Sequence, residues 1–103
     1  MSSFVLHPDA SRDIEDIWDY IAADSPDAAS RVIEEIRNAI AGLVRFPYQG
    51  HCRSDLTSHP LRFQTVRDFL IAYAPEENPL LVLAILHGRR SPRVIAALLK
   101  GRE

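Results

Sequence analysis

The chain is poor in cysteine, glycine and methionine, with one, four and one of these residues among its 103. Because Cys52 is the only cysteine, it can form neither an internal disulfide nor a thiolate zinc cluster, which favours a reducing compartment and a metal-free fold. The glycines form no phosphate-binding loop, since HGRR at residues 87–90 places one glycine beside basic residues. These shortages argue against disulfide-rich, zinc-finger and nucleotide-binding proteins, and we expect no cofactor.

Long apolar runs are also missing. The most apolar segment, LLVLAIL at residues 80–86, is too short to cross a bilayer. The first residues, MSSFVLHPDA, lack the basic and apolar regions of a secretion signal. We therefore expect a cytoplasmic protein without a membrane partner.

Lysine is nearly absent, because eleven of the twelve basic residues are arginine, the side chain suited to forked hydrogen bonds with carboxylate or phosphate. The charge is unevenly distributed: residues 1–50 hold nine acids and four bases, whereas residues 51–103 hold five acids and eight bases. The apolar share of 47% and the length are ordinary for one globular domain. We predict a single domain over residues 1–103, with a recognition surface in its second half.

Two amphipathic helices are predicted in the first half of the chain. Apolar residues recur at spacings of three and four from about Pro8 to Ala23, and again between Ser25 and Pro47. Ser25 is a good N-cap, Pro26 suits the first helical position, and Pro47 ends the second helix. Because the connection is short, the helices should pack as an antiparallel hairpin. The apolar stripes are Ala10, Ile14, Ile17, Trp18 and Ile21, then Ala29, Val32, Ile33, Ile36, Ile40, Leu43 and Val44.

The second half changes to the periodicity of strands. Three β-rich segments occupy residues 61–66, 69–74 and 80–86. A tight turn at Arg67 and Asp68 and the longer turn PEENP connect them, which predicts an antiparallel meander. SFVL at residues 3–6 predicts a further short strand, and Ser91 to Lys100 a short amphipathic helix. The fold class is α+β: an N-terminal antiparallel helical hairpin packed on a three- to four-stranded antiparallel sheet, with a short C-terminal helix.

Most candidate chemistries are poorly supported. Residues 47–60 form an aperiodic loop long enough to suggest a function, but Cys52 and His51 are chain neighbours without a third catalytic group, which disfavours nucleophilic catalysis. The histidines show no metal-ligand spacing. The carboxylates crowd the outer sides of the two helices, as on a solvated surface, and its helical register places Trp18 in the core rather than on a ligand platform.

Five cationic residues remain as the candidate site: Arg53, Arg62, His87, Arg89 and Arg90. The last three follow the most buried strand, which fixes their backbone as a functional arginine requires. We expect all five to share one edge of the sheet, where arginines bind phosphates or stabilise an anion and histidine transfers a proton. The alternative is that some of these arginines pair with Asp55 and Asp68, or only keep the surface soluble.

The order of motifs resembles the ParE/RelE superfamily of bacterial type II toxins over almost the whole chain. The elements that carry the resemblance to its ParE-like branch are IWDYIA, SP.AA.R, L..FP..G and HGRR, in that order. The resemblance implies a toxin encoded beside a ParD-like antitoxin, whose N-terminal part binds operator DNA and whose C-terminal segment wraps the toxin. The antitoxin segment is expected to be acidic, amphipathic and partly disordered until it binds.

The superfamily divides into two branches with different targets. RelE-like members are ribosome-dependent ribonucleases that use basic residues on the sheet and an aromatic residue near the C-terminus. Here Leu70 stands where that branch commonly has arginine, and the tail SPRVIAALLKGRE has no aromatic residue, which removes groups needed to orient and cleave RNA.

These departures favour the ParE branch, which inhibits DNA gyrase without an established enzymatic step, so no catalytic residue is assigned. The five cations would then form the toxic or antitoxin-masked surface. Two alternatives stay open: a RelE-like mRNA endonuclease, and an inactive toxin that serves only as an operon co-repressor.

Overall fold

The computed structural model describes residues 3–102 as three helices and a four-stranded sheet. In chain order the elements are β1 (Phe4–Leu6), α1 (Pro8–Ala22), α2 (Pro26–Arg45), β2 (Arg62–Val66), β3 (Phe69–Ala74), β4 (Leu80–His87) and α3 (Pro92–Lys100). The predicted helical hairpin, meander and C-terminal helix are all present, which confirms the α+β fold. The loop before β2 contains one isolated β-bridge, between His51 and Phe63.

All three helices begin in the same way, with proline as the first residue after an N-cap side chain. The Ser25 and Ser91 hydroxyls accept the backbone N–H three residues further on, at 3.2 and 3.3 Å. His7 caps α1 with its side chain as the two serines do, because its Nδ1 accepts the N–H of Asp9 at 3.0 Å. Proline costs nothing at this position, since the first helical N–H groups have no intrahelical acceptor.

The sheet has the order β1-β4-β3-β2, and the three strands of the meander are antiparallel as predicted. β1 instead runs parallel to β4, with Phe4 beside Leu80 and Leu6 beside Val82, so the sheet is mixed rather than wholly antiparallel. α1 begins directly after β1, and the N–H of His7 extends the parallel pairing by donating to the Val82 carbonyl at 2.8 Å. Alternation of residue types in a three-residue strand carries no information on its direction.

Both faces of the sheet are covered. On one face α1 and α2 pack over Ile71, Tyr73, Val82 and Ile85. On the other face α3 and the loop before β2 cover a second cluster of apolar residues, comprising Leu56, Leu61, Phe63, Ala72, Leu83, Ala84, Leu86, Ile95 and Leu99. This is why β4 is apolar without alternation.

Trp18 lies at the margin of the helical hairpin rather than in its core. Its side chain is 37% exposed and lines a shallow depression with Ile14 and Ile33. The expectation that Trp18 is a core residue is therefore wrong. On a helical wheel Trp18 follows Ile17 by 100°, which turns it away from the sheet and towards the α2 seam.

The turn between β2 and β3 is tied to α2 by an ion pair. Arg67 has a φ of 53°, the left-handed conformation that two-residue hairpin turns use. Its guanidinium donates to both carboxylate oxygens of Glu35, with Nε at 2.8 Å from Oε1. This hydrogen bonding lowers the pKa of Glu35 and raises the pKa of Arg67. Because both side chains are about half exposed, the pair positions the turn more than it stabilises the fold.

Candidate functional site

The end of β4 presents three of the predicted cations on an ordered backbone. His87 is the last residue of β4 and lies beside Phe69, whose ring its imidazole meets edge-on at 5.5 Å. The Gly88 N–H donates to a carbonyl of the β2–β3 turn at 2.7 Å, and the Arg90 N–H donates to the His87 carbonyl at 3.2 Å. Arg89 and Arg90 are therefore held on a turn between the sheet and α3.

The two arginines of this turn differ in their partners. Arg89 Nη2 lies 3.7 Å from the Asp68 carboxylate, and both side chains are largely exposed, so the pair is weak. Within residues 3–102, Arg90 makes no ion pair. Arg90 is consequently available for an anionic group of a partner.

Arg53 lies with Arg89 and Arg90 along a groove of about 370 Å³ that Leu70 also lines. Its guanidinium is engaged by Asp55: Nε and Nη2 are 2.8 and 2.7 Å from the two carboxylate oxygens. This hydrogen bonding raises the pKa of Arg53 and lowers the pKa of Asp55. For Arg53, as for Arg89, the alternative of pairing with a nearby carboxylate is confirmed.

Arg62 lies apart from His87, Arg89 and Arg90, although it shares a cleft with Arg53. It pairs with Tyr73 in the β2–β3 ladder, whereas His87 pairs with Phe69, four residues earlier in β3, a separation of about 13 Å along the strand. The expectation that all five cations share one edge is therefore wrong for Arg62. Since β3 reverses the chain, β2 and β4 run in the same direction, and the start of one cannot lie beside the end of the other.

Arg62 instead orders the segment that follows α2. Its Nη1 donates to the carbonyls of Tyr48 and Gly50 at 3.2 and 2.7 Å, and its guanidinium lies 5.1 Å from the centre of the Tyr48 ring. The Tyr73 hydroxyl donates to the Pro47 carbonyl at 2.6 Å and accepts the Gly50 N–H at 3.0 Å. Burial raises the pKa of Tyr73, which keeps this hydroxyl protonated.

A groove of about 510 Å³, the α1 groove, separates α1 from the end of the sheet. Its apolar lining consists of Ile17, Ile21, Val32, Phe69, Ile85 and Leu86. Tyr20, which is 85% exposed, and Asp16 line the groove on the helix side, and His87 and Arg90 line it on the sheet side. Arg67, Asp13 and Asp68 line it as well, so the groove combines an apolar interior with an aromatic ring and charged groups of both signs, as a peptide-binding groove can.

A largely buried ion pair that sequence reasoning missed supports this groove. Arg102 donates to both carboxylate oxygens of Asp13, with Nη2 at 3.0 Å from Oδ1, and Asp13 also accepts the Ile85 N–H at 3.0 Å. Arg102 further donates to the Leu83 carbonyl at 3.1 Å. The pairing raises the pKa of Arg102. These bonds link α1, β4 and the residues after α3, and no local sequence signal indicates a contact between residues 89 positions apart.

Metal-ligating side chains are not clustered in the part of the chain that the structure describes. Among residues 3–102, no group of three or more histidine, cysteine or acidic side chains has the arrangement of a metal site. None of the helices in that range has the length and apolar character to cross a membrane.

Comparisons with known proteins agree on one family. The sequence profile of the ParE toxin of the type II toxin-antitoxin system parDE matches residues 4–92. The protein "Putative toxin Y4kP" of Sinorhizobium fredii (strain NBRC 101917 / NGR234) is 29% identical over 93 residues, which is 84% of this chain and 88% of that protein.

Among solved structures, one described as a chromosomal ParDE TA system from P. aeruginosa superposes with a TM-score of 0.67 at 22% identity. The match covers 84% of this chain and 96% of that one, and at this identity it supports the fold alone. The profile match extends from β1 to the start of α3 and so includes the hairpin, the meander and the HGRR turn. This chain therefore belongs to the ParE toxin family of type II toxin-antitoxin systems.

Proposed function

We propose that this toxin acts by binding DNA gyrase, and that a ParD-like antitoxin neutralises it and carries the complex to operator DNA. The observation that supports binding over RNA cleavage is the dispersal of the cations. Arg62 lies at the opposite end of the sheet from His87, and Arg53 and Arg89 face carboxylates. General acid–base catalysis needs groups that converge on one reacting atom.

The face of the sheet beneath α3 also argues for binding. Leu70 packs against the cluster formed by Leu86, Ile95 and Leu99. Apolar packing fills this face, and an apolar cluster offers neither a proton donor nor a cation to a scissile phosphate. The messenger ribonuclease alternative has no comparable supporting observation.

A supercoiling assay with purified toxin and purified gyrase tests this function. We expect toxin to inhibit supercoiling of relaxed plasmid, while translation of a reporter message in a cell extract continues at the same toxin concentration. New 3′ ends in ribosome-bound message, together with unaffected supercoiling, would show that the toxin is a ribonuclease and not a gyrase inhibitor. Expression without growth arrest, combined with operator binding of the antitoxin complex, would instead support a co-repressor.

The α1 groove is the proposed antitoxin site. An amphipathic segment would place apolar side chains between α1 and the sheet and carboxylates beside His87 and Arg90, with Arg89 and Arg53 in the adjoining groove. Exposed Tyr20 would cover the apolar residues of the segment. The apolar lining and Arg90, which makes no ion pair within residues 3–102, suit the acidic, amphipathic antitoxin segment that the family resemblance implies, whereas Asp16 and Asp68 in the same lining would face its polar or basic residues.

Substitution of Arg90 by alanine is expected to weaken antitoxin binding about threefold to tenfold and to reduce its salt dependence, because one charge contact at the rim is lost. The dissociation constant, measured by calorimetry for the protein encoded beside the toxin gene, provides the test. Arg37→Ala is the matched control, since Arg37 is exposed on α2 and lies outside the α1 groove. Equal losses for the two variants would place the antitoxin elsewhere.

A further inference from the structure

Two aromatic side chains project into solvent where α2 passes into the loop. Phe46 and Tyr48 are 60% and 58% exposed, although the apolar clusters of the fold lie close by. With Arg45 and Arg62 they form what we call the aromatic patch. Large exposed apolar side chains grouped within three residues of the chain mark a candidate binding site.

The backbone under the aromatic patch is ordered. The Phe46 N–H donates to the Gly42 carbonyl at 2.9 Å, and the Phe46 carbonyl accepts the Gln49 N–H at 3.0 Å. Arg62 holds the Tyr48 carbonyl from the sheet side. Because the rings are presented by a segment that is fixed before binding, a partner would lose little affinity to the ordering of this segment.

An arginine guanidinium lies near each of the two aromatic rings. The Arg45 guanidinium lies 5.5 Å from the centre of the Phe46 ring, and the Arg62 guanidinium lies 5.1 Å from that of Tyr48. Neither arginine makes an ion pair within residues 3–102. The patch therefore presents two positive charges without counterions next to two aromatic rings, the residue types that dominate the energetic centres of protein interfaces.

Charge complementarity decides the kind of partner. Beside Tyr48 and Arg62 the surface continues into a cleft that contains Glu76, and its other arginine, Arg53, is already paired with Asp55. A nucleic acid needs several phosphate contacts along a continuous basic track, which the carboxylate of Glu76 interrupts. A protein segment in which carboxylates flank an apolar side chain fits two isolated cations and two rings.

The aromatic patch and the α1 groove are separate surfaces. Arg62 belongs to the end of the sheet where β2 begins, and His87 to the end where β4 finishes. We propose that the aromatic patch binds the target protein of the toxin through such an acidic and apolar segment, while the antitoxin binds the α1 groove. This assignment rests on the proposed function and adds to it the surface that contacts the target.

The test compares the wild-type toxin with Phe46→Ala/Tyr48→Ala and with Arg45→Glu. Growth arrest on induced expression, inhibition of purified gyrase and the dissociation constant for the neighbouring antitoxin are measured for each. We expect at least a tenfold loss of gyrase inhibition and loss of growth arrest in both variants, with antitoxin affinity within about twofold of wild type, because a central aromatic contact typically contributes this much. Val94→Ser removes an exposed apolar side chain elsewhere on the surface and should change none of the three.

Far-UV circular dichroism confirms that each variant is folded before it is compared. Wild-type potency in the double variant, or parallel loss of target inhibition and antitoxin binding, would overturn the assignment. Fluorescence anisotropy with a labelled twenty-nucleotide oligothymidylate provides the nucleic-acid control. If the toxin bound that probe tightly and lost this binding in Phe46→Ala/Tyr48→Ala, the proposal that the aromatic patch binds a protein would be overturned. A wild-type toxin that arrests growth without affecting gyrase would refute only the proposed target, whereas one that does neither would refute both proposals.

Discussion

Asp13→Ala is expected to lower the free energy of unfolding by about 3 kcal/mol, because the largely buried Arg102 guanidinium loses its hydrogen-bonded partner and keeps only the Asp9 carboxylate, 3.8 Å from its Nε. The two side chains are only 13% and 11% exposed. The substitution also removes the acceptor of the Ile85 N–H. A domain of this length is typically stable by about 5–15 kcal/mol, so the variant should melt roughly 12 °C or more below the wild type.

Two further variants separate the charge from the hydrogen bonds. Asp13→Asn/Arg102→Gln replaces the ion pair by neutral groups of similar shape and should recover much of the lost stability, since no isolated charge remains. Glu35→Ala removes the carboxylate that accepts two hydrogen bonds from the exposed Arg67 guanidinium. It should lower the free energy of unfolding much less than Asp13→Ala does. Guanidinium unfolding followed by circular dichroism measures all three. If Asp13→Ala destabilised no more than Glu35→Ala, the Asp13–Arg102 pair would not anchor this end of the fold.

Gly50→Ala is expected to destabilise the fold by about 2–4 kcal/mol, because no space exists for a methyl group at this position. A Cβ atom on Gly50 would lie 2.6 Å from the Tyr73 hydroxyl and 2.8 Å from the Phe63 carbonyl oxygen. The hydroxyl belongs to a buried side chain and the carbonyl is backbone, so neither moves easily. The loop would separate from β2 and break the bond between the Gly50 N–H and Tyr73.

Gly42→Ala provides the matched control for this prediction. A Cβ atom there meets nothing within 4 Å, and Gly42 lies inside α2. Alanine should therefore stabilise the protein by about 0.5–1 kcal/mol through helix propensity. If the Tyr73 contact excludes a side chain at Gly50, thermal unfolding should show a lower melting temperature for Gly50→Ala and a higher one for Gly42→Ala than for the wild type. A neutral Gly50→Ala would mean that the segment shifts freely and does not present the aromatic patch on a fixed backbone.

The elements that sequence could predict are those whose information is local. Helix periodicity, the Ser25 and Ser91 caps and the turn at Arg67 each depend on residues within a few positions of one another. The direction of β1 depends instead on where the helical hairpin must lie over the sheet. The same limit applies to Trp18, because period alone does not distinguish the centre of an apolar stripe from its margin.

The candidate site was less predictable because it is assembled from distant residues. The grouping of five cations ignored the strand directions, which place Arg62 away from His87. The Asp13–Arg102 contact joins opposite ends of the chain and has no spacing signal. Phe46 and Tyr48 flank Pro47, where the second helix was predicted to end, and no sequence signal shows that both rings are more than half exposed.

A stoichiometric binder of gyrase differs from an enzyme in how inhibition depends on dose, which a titration of purified toxin against a fixed, known concentration of gyrase measures. We expect inhibition of supercoiling to rise to a break at a fixed ratio of toxin to gyrase, not to deepen with longer preincubation, and to be reversed by adding the antitoxin. A toxin that leaves supercoiling intact at excess, yet stops translation at a small fraction of the ribosome concentration with cleaved message, would contradict it.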